Sequence, residues 1–361
     1  MRRHGHARIA RALLAVVPPL FCLGLFFIFY LPIRRYLGVP SPRLGLVAWD
    51  CLRGLPGLLH GRWSALDIPL LDGFKHGSGE FYVTIPFVAL FGHTPAAMLS
   101  RDGVLGGLAV WTTYLLGLAL YRDRWTSFFA ALFLATSPTF VLYSMIGGRA
   151  GIAETALAPA ALYFLLRYAD ERQTRLACLG SAALGLAFAC RSTMAAFIVG
   201  LLVYAAFYRR AAAGLLPAQS VRRRRLLLGC FISFFAFVCA FAWACAVHLG
   251  EFWSYWSQRF GARDEVGNNL DYAGNLLQRL RQMANLAEGK DGLWFFVERT
   301  KAFPSSSLAF PAAALAIAAI LLVVRRKETP RRWTMPWVVA IVYLLLSPFT
   351  PSMARVMHLF P

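Results

Sequence analysis

Asp50, Asp67, Asp72, Lys75, His76 and Glu80 fall within one short interval of a chain that is 58% apolar and only 15% charged. Carboxylates gathered between apolar segments are suited to proton transfer, because a carboxylate within hydrogen-bond reach of a hydroxyl can take its proton as it attacks. Cations near such a site stabilise negative charge as it develops, and Lys75, Arg149 and Arg191 are the candidates for that work. Arginine offers phosphate oxygens a planar fork, whereas lysine acts as a point charge. Asp50 and Glu154 are the candidate carboxylates, with Glu80, Arg101 and His76 as secondary candidates.

Each of these residues also has a plainer role open to it. Asp67 and Asp72 stand beside a proline and a glycine, where aspartate is favoured for local backbone bonding. Asp50 fits a solvated loop acid, and Glu154 fits an acid stabilised at a helix N-terminus. Lys75 can snorkel to lipid phosphate, and Arg101 can anchor the start of a span. Arg191 separates two short apolar runs, where a charge is costly unless it meets water or a partner, so site or ion-pair use is favoured there. His60 and His76 read as ordinary loop histidines, and Asp264-Glu265 as a solvated pair rather than a metal site.

The elements that position these residues follow from the composition. A soluble chain of 361 residues needs more polar surface than this one has, and the mean hydropathy is +0.56. The bilayer is therefore the solvent for much of it, and the chain reads as an all-α polytopic membrane protein. Crossing the hydrocarbon takes about 20 apolar residues. On that template nine spans are expected, near 12–33, 103–121, 125–146, 152–166, 176–190, 193–208, 226–249, 308–324 and 333–346. A single domain results: a first span at 12–33, an outer loop at 34–101, core spans over 103–249, a second outer loop at 250–307 and the last spans within 308–361.

Arginine placement orients the bundle. With the N-terminus in the cytoplasm, the short inside segments hold 20 of the 37 lysines and arginines but only Asp123, Asp170, Glu171 and Glu328 of the 17 acids. Short-loop basic bias sets topology, so loops 34–101 and 250–307 face outward. The net charge of +20 needs no nucleic acid to explain it, since topology and anionic lipid heads account for clusters such as Arg222 to Arg225. The apolar run after MRRHGHARIAR continues past Tyr30 without an A-x-A-like site, which favours a retained anchor over a signal peptide. Six of the seven cysteines fall in spans, leaving Cys51 in the outer loop and no internal disulfide framework. No His/Cys spacing resembles a zinc site, and no Gly-rich phosphate loop is present.

The outer loop carries a recognisable series: Gly61-Arg62-Trp63, Pro69 to Gly73, Phe74-Lys75, Phe81-Tyr82, Leu90-Phe91-Gly92 and Ala96-Ala97 leading to Arg101. It continues through Gly106 to Tyr121, Ala130 to Pro138, Tyr143-Ser144 and Gly185 to Phe188 before Arg191. Phe81 to Phe91 is too short to span and reads as an amphipathic interfacial helix. The order and spacing of these pieces resemble the GT-C glycosyltransferases, nearest the branch of protein O-mannosyltransferases and aminoarabinose lipid A transferases. The likeness covers roughly the first 210 residues.

The resemblance implies transfer of a sugar from a polyprenyl-phosphate carrier to a lipid, glycan or protein acceptor hydroxyl on the outer side of the cell membrane, with inversion. It implies an acid in the first outer loop, matched by Asp50, and a second near the outer start of the fourth span, matched by Glu154. The oxocarbenium-like transition state of such a transfer is stabilised by negative charge nearby. Two departures stand out: Asp50 is followed by Cys51 rather than Glu, and Lys75 by His76-Gly77-Ser78-Gly79 rather than Pro-Pro. Metal use is left open, since carboxylates in an aqueous loop permit a divalent metal or none. Two rivals stay open, a transporter or flippase of a lipid-linked sugar and a catalytically inactive homologue. A transporter would show mid-span charges, matched broken helices and internal repeats. The passage Arg355 to Pro361 is where relatives introduce a further span, so a short natural member and a truncated one are both open.

Overall fold

The computed structural model describes residues 16–32, 64–65, 68–69, 79–92, 94–137, 140–141, 144, 152–191, 194–207, 219–250, 338–339 and 342. These are almost wholly helical. Helix α1 is Val16–Pro32. A two-residue antiparallel pairing follows, β1 (Ser64–Ala65) with β2 (Ile68–Pro69), in which Ser64 faces Pro69 and Ala65 faces Ile68. Then come α2 (Gly79–Phe91), α3 (Pro95–Tyr121), α4 (Arg124–Thr136), α5 (Ile152–Glu171), α6 (Thr174–Cys190), α7 (Met194–Phe207) and α8 (Ser220–Val247). The small β pairing is a departure from a purely helical reading. The expected spans near 103–121, 152–166, 176–190, 193–208 and 226–249 each coincide with a helix.

One helix among the described residues is both long and apolar enough to cross a bilayer, Ala96–Tyr121, and the count of nine spans is not established. The expected span at 308–324 and the second outer loop at 250–307 lie outside the described residues. Four boundaries differ from expectation by five residues or more, α5 running on to Glu171 and α8 beginning at Ser220 among them. Helix α3 begins at Pro95, so Arg101 and Asp102 lie inside it rather than at its start. Thr94 is extended and Pro95 occupies the first turn, where a missing N–H costs nothing. Helix α4 stops at Thr136 because Ser137 precedes Pro138, and a residue before proline is driven out of the helical region.

Short links at one end of the bundle fold consecutive helices antiparallel. Arg122 (φ 56°) and Arg172 (φ 59°) both take the left-handed conformation that closes a helix, each donating its N–H back four residues, to Leu118 and Tyr168. Asp123 then caps α4, accepting from the Thr126 N–H at 2.7 Å and its hydroxyl at 2.6 Å. Arg122 lies 3.4 Å from Asp170, tying the two links together at the surface.

The helices pack through small residues. A Cβ on Gly185 would sit 2.3 Å from the backbone oxygen of Phe234, so α6 and α8 touch backbone to backbone there. Small residues at such contacts are the usual means of helix association where lipid removes the hydrophobic drive. The central core joins Phe26 and Tyr30 of α1, Leu105, Val110 and Tyr114 of α3, Ala131 of α4, Ala156 of α5 and Cys190 of α6. A second core gathers around Leu116, Leu120, Leu162, Met194, Phe197 and Val339. The outward faces are apolar as well: Trp125, Phe129 and Phe133 on α4 and Leu227, Leu228, Phe231 and Ile232 on α8 are all exposed. Aqueous solvent makes that costly, whereas hydrocarbon makes it the favourable surface.

Candidate active site

Two buried ion pairs lie near the helix ends that the arginine bias places outside. The first joins α5 to α6. Glu154, in the first turn of α5, is fully buried, and its Oε1 accepts a hydrogen bond from Arg191 Nη1 at 3.0 Å. Arg191 follows the last residue of α6; its own N–H donates to Ala187, and its carbonyl accepts from Met194 at the start of α7. The backbone is extended at Arg191 (φ −153°), so the chain leaves α6 and re-enters α7 around this residue. Two candidates that the sequence assigned to separate roles, base and phosphate ligand, thus form one pair.

The second pair lies in α3. Arg101 is 1% exposed, and its Nε and Nη2 both donate to Asp102 Oδ1, at 2.9 and 2.6 Å. Its Nη1 donates to Thr84 Oγ1 of α2 at 2.8 Å. Arg101 is therefore an internal strut between α2 and α3 rather than a surface anchor. Asp102 and Thr84 were not singled out from the sequence. The available signal was the adjacent Arg101-Asp102 charge pair inside an otherwise apolar helix, which is costly unless each charge is satisfied.

Helix α2 links the two pairs. Its first residue, Gly79, lies so close to α6 that a Cβ would meet the Cys190 nitrogen at 2.3 Å, next to Arg191. Thr84, which holds Arg101, comes five residues later, about 7.5 Å along the axis at 1.5 Å per residue. Val83 packs on the central core, while Val88 packs with Ala97, Met98 and Leu99. Tyr82 stacks edge-on against Phe237 of α8 at 5.7 Å. Tyr30 secures α1 to the same region through a 2.8 Å bond to the Leu99 carbonyl. The expectation of an amphipathic α2 is corrected: its sequence GEFYVTIPFVALF is apolar nearly all round, and α2 is wedged between α3 and α6 instead of lying with one polar face to water. Gly79, the first residue of α2, is thereby held beside Cys190, the neighbour of Arg191.

Asp50, Lys75, His76 and Arg149 lie outside the described residues. Glu80 is helical within α2. No group of three or more His, Cys, Asp or Glu side chains that could hold a metal ion occurs among the described residues.

The fold and site define a helical bundle with a lipid-suited surface and buried charge pairs gathered near one end. Residues 75–243 match the family model for dolichyl-phosphate-mannose-protein mannosyltransferase. The match runs from Lys75 through α2 to most of α8, so it takes in Arg101, Arg149, Glu154 and Arg191 and leaves Asp50 outside. No curated protein matches the chain.

Proposed function

We propose that this protein is an integral membrane glycosyltransferase that moves a sugar from a polyprenyl-phosphate carrier to an acceptor hydroxyl on the outer side of the cell membrane. The single observation that carries this reading is the family match over residues 75–243, which spans both buried ion pairs. In this reading a carboxylate of the outer loop, Asp50, removes the acceptor's proton as its oxygen attacks the anomeric carbon, with inversion. The carrier phosphate leaves toward the cations at the outer face, Lys75, Arg149 and Arg191, whose charge stabilises it. The N-terminus is cytoplasmic, and the acceptor is a lipid, glycan or protein; a divalent metal is compatible with the loop carboxylates.

The mid-bundle chemistry favours an enzyme over a transporter. The charges buried in the described helices, Arg101, Asp102, Glu154 and Arg191, sit near one end of the bundle rather than at half-depth on broken helices. The test is turnover by the purified full chain of a panel of polyprenyl-phosphate sugars, read as release of the carrier lipid. Release by the wild type and its loss in Asp50→Asn, at unchanged thermal stability, is the expected result. Binding of the donors with no release by the wild type would overturn the transferase reading in favour of a carrier or an inactive homologue.

A further inference from the structure

Arg191 is bonded to Glu154 through one nitrogen, Nη1, and among the described residues its other guanidinium N–H groups carry no hydrogen bond. A guanidinium has five N–H donors in a rigid fork. One corner held by a buried carboxylate fixes the plane of the group and leaves a further edge for a second acceptor. That acceptor must be anionic or strongly polar, because the pair sits where Glu154 is fully buried and Arg191 is 4% exposed. The position reinforces the point: Arg191 stands at the joint between α6 and α7, where the chain has left the helix, and α2 brings the end of the outer loop against the neighbouring Cys190.

We infer that Glu154 is a positioning residue, not the base: it orients Arg191 so that the free edge of the guanidinium meets the phosphate of the lipid carrier. The inference rests on the transferase reading for its substrate. A carboxylate in direct contact with a guanidinium is a poor proton acceptor, since proton uptake would leave the arginine's charge buried without its partner. Used as an orienter, the same carboxylate exchanges no proton with the substrate and acts through Arg191.

The experiment measures binding of a sugar-free polyprenyl phosphate to the full chain in detergent, alongside turnover and its pH profile, for Glu154→Gln, Glu154→Ala and Arg191→Lys. Gln keeps an oxygen that accepts from Nη1 but not the charge, so in Glu154→Gln affinity and turnover are expected to fall together by a few-fold while the shape of the pH profile is kept. Glu154→Ala frees the guanidinium and is expected to lose roughly tenfold in affinity, with KM rising more than kcat falls. Arg191→Lys preserves the charge balance of the buried pair, and hence the fold, but lacks the fork; it is expected to lose at least about tenfold in affinity. Loss of turnover and of the acid limb of the pH profile in Glu154→Gln, with binding intact, would make Glu154 the base and overturn the inference. Wild-type binding by Arg191→Lys would overturn it as well. If the wild type binds the lipid phosphate but turns over no sugar, the transferase reading fails while the positioning role is still decided by the binding series.

Discussion

At the residue scale, each buried arginine is paired with a buried carboxylate. Arg101 sits at 1% exposure with two N–H groups on Asp102 Oδ1 and a third on Thr84, so removing that carboxylate takes away the acceptor of two bonds and the countercharge beside them. Breaking such a pair costs about 3–5 kcal/mol, whereas replacing both members with apolar groups is often neutral. Asp102→Ala is therefore expected to lower the unfolding temperature in detergent markedly, and Arg101→Met with Asp102→Leu to recover most of the loss. Equal melting temperatures for the single and double variants would show that the lost countercharge is not the cause. Part of this was legible beforehand: a charge between the apolar runs at Arg191 demanded a partner. Which partner was not, because Glu154 is 37 residues away in sequence and the pairing depends on how α5 and α6 dock. Arg101 was misplaced for a simpler reason, since the helix that contains it begins two turns earlier than its most apolar stretch.

At the scale of elements, α2 behaves as a wedge, and its tightest point is Gly79. An added Cβ would approach the Cys190 nitrogen to 2.3 Å and the Ala189 carbonyl carbon to 2.6 Å, and backbone atoms cannot turn aside as a side chain can. Gly79→Ala is expected to cost about 1–3 kcal/mol by overpacking. It is also expected to reduce sugar transfer beyond what the lost stability explains, because α2 sets where the outer loop meets Arg191. Unchanged turnover in folded Gly79→Ala would sever α2 from the site. At the other end of the bundle, the α4 cap gives a pH signature. Two hydrogen bonds from Thr126 pull the Asp123 carboxyl below its ordinary 3.8, the side-chain bond first and the backbone bond second. A depressed folded-state value means that the stabilisation is complete above the unfolded carboxylate range and is lost as pH falls through the folded value. Asp123→Ala is expected to cost about 1 kcal/mol at neutral pH. Asp123→Asn keeps the capping acceptor and should flatten the acid-side loss in melting curves. The cap was within reach of the sequence, since an aspartate between two arginines opens a helical run; the left-handed Arg122 before it was not, because that conformation ordinarily selects glycine.

At the scale of the whole molecule, apolar runs located one end of most described helices to within a few residues, whereas the other ends of α3, α4, α5 and α8 differ by five residues or more, because hydropathy marks an apolar stretch and not the caps and turns that end a helix. The relative arrangement was out of reach: nothing in a one-dimensional pattern says that α6 packs on α5 and α8 together, which Gly180 and Gly185 permit by close contact with Leu165 and Phe234. Orientation is the property on which the site's accessibility turns, and it rests on arginine bias alone. Helix α3, 27 residues, is about 40 Å long and exceeds the ~30 Å hydrocarbon core, so in the transferase reading its two ends emerge on opposite sides. Thr94 precedes its outer end and Arg124 follows the link at its inner end; both are exposed. In a background with the native cysteines replaced, an impermeant thiol reagent is expected to label Thr94→Cys in intact cells and Arg124→Cys only after the membrane is opened. Both buried ion pairs lie toward the Thr94 end, Arg101-Asp102 two turns into α3 and Glu154-Arg191 where α5 begins and α6 ends. Labelling in the reverse order would carry both pairs to the cytoplasmic face. A lipid-linked donor would then have to present its sugar inside the cell, and the outward loops could no longer contribute Asp50 or Lys75 to the same reaction.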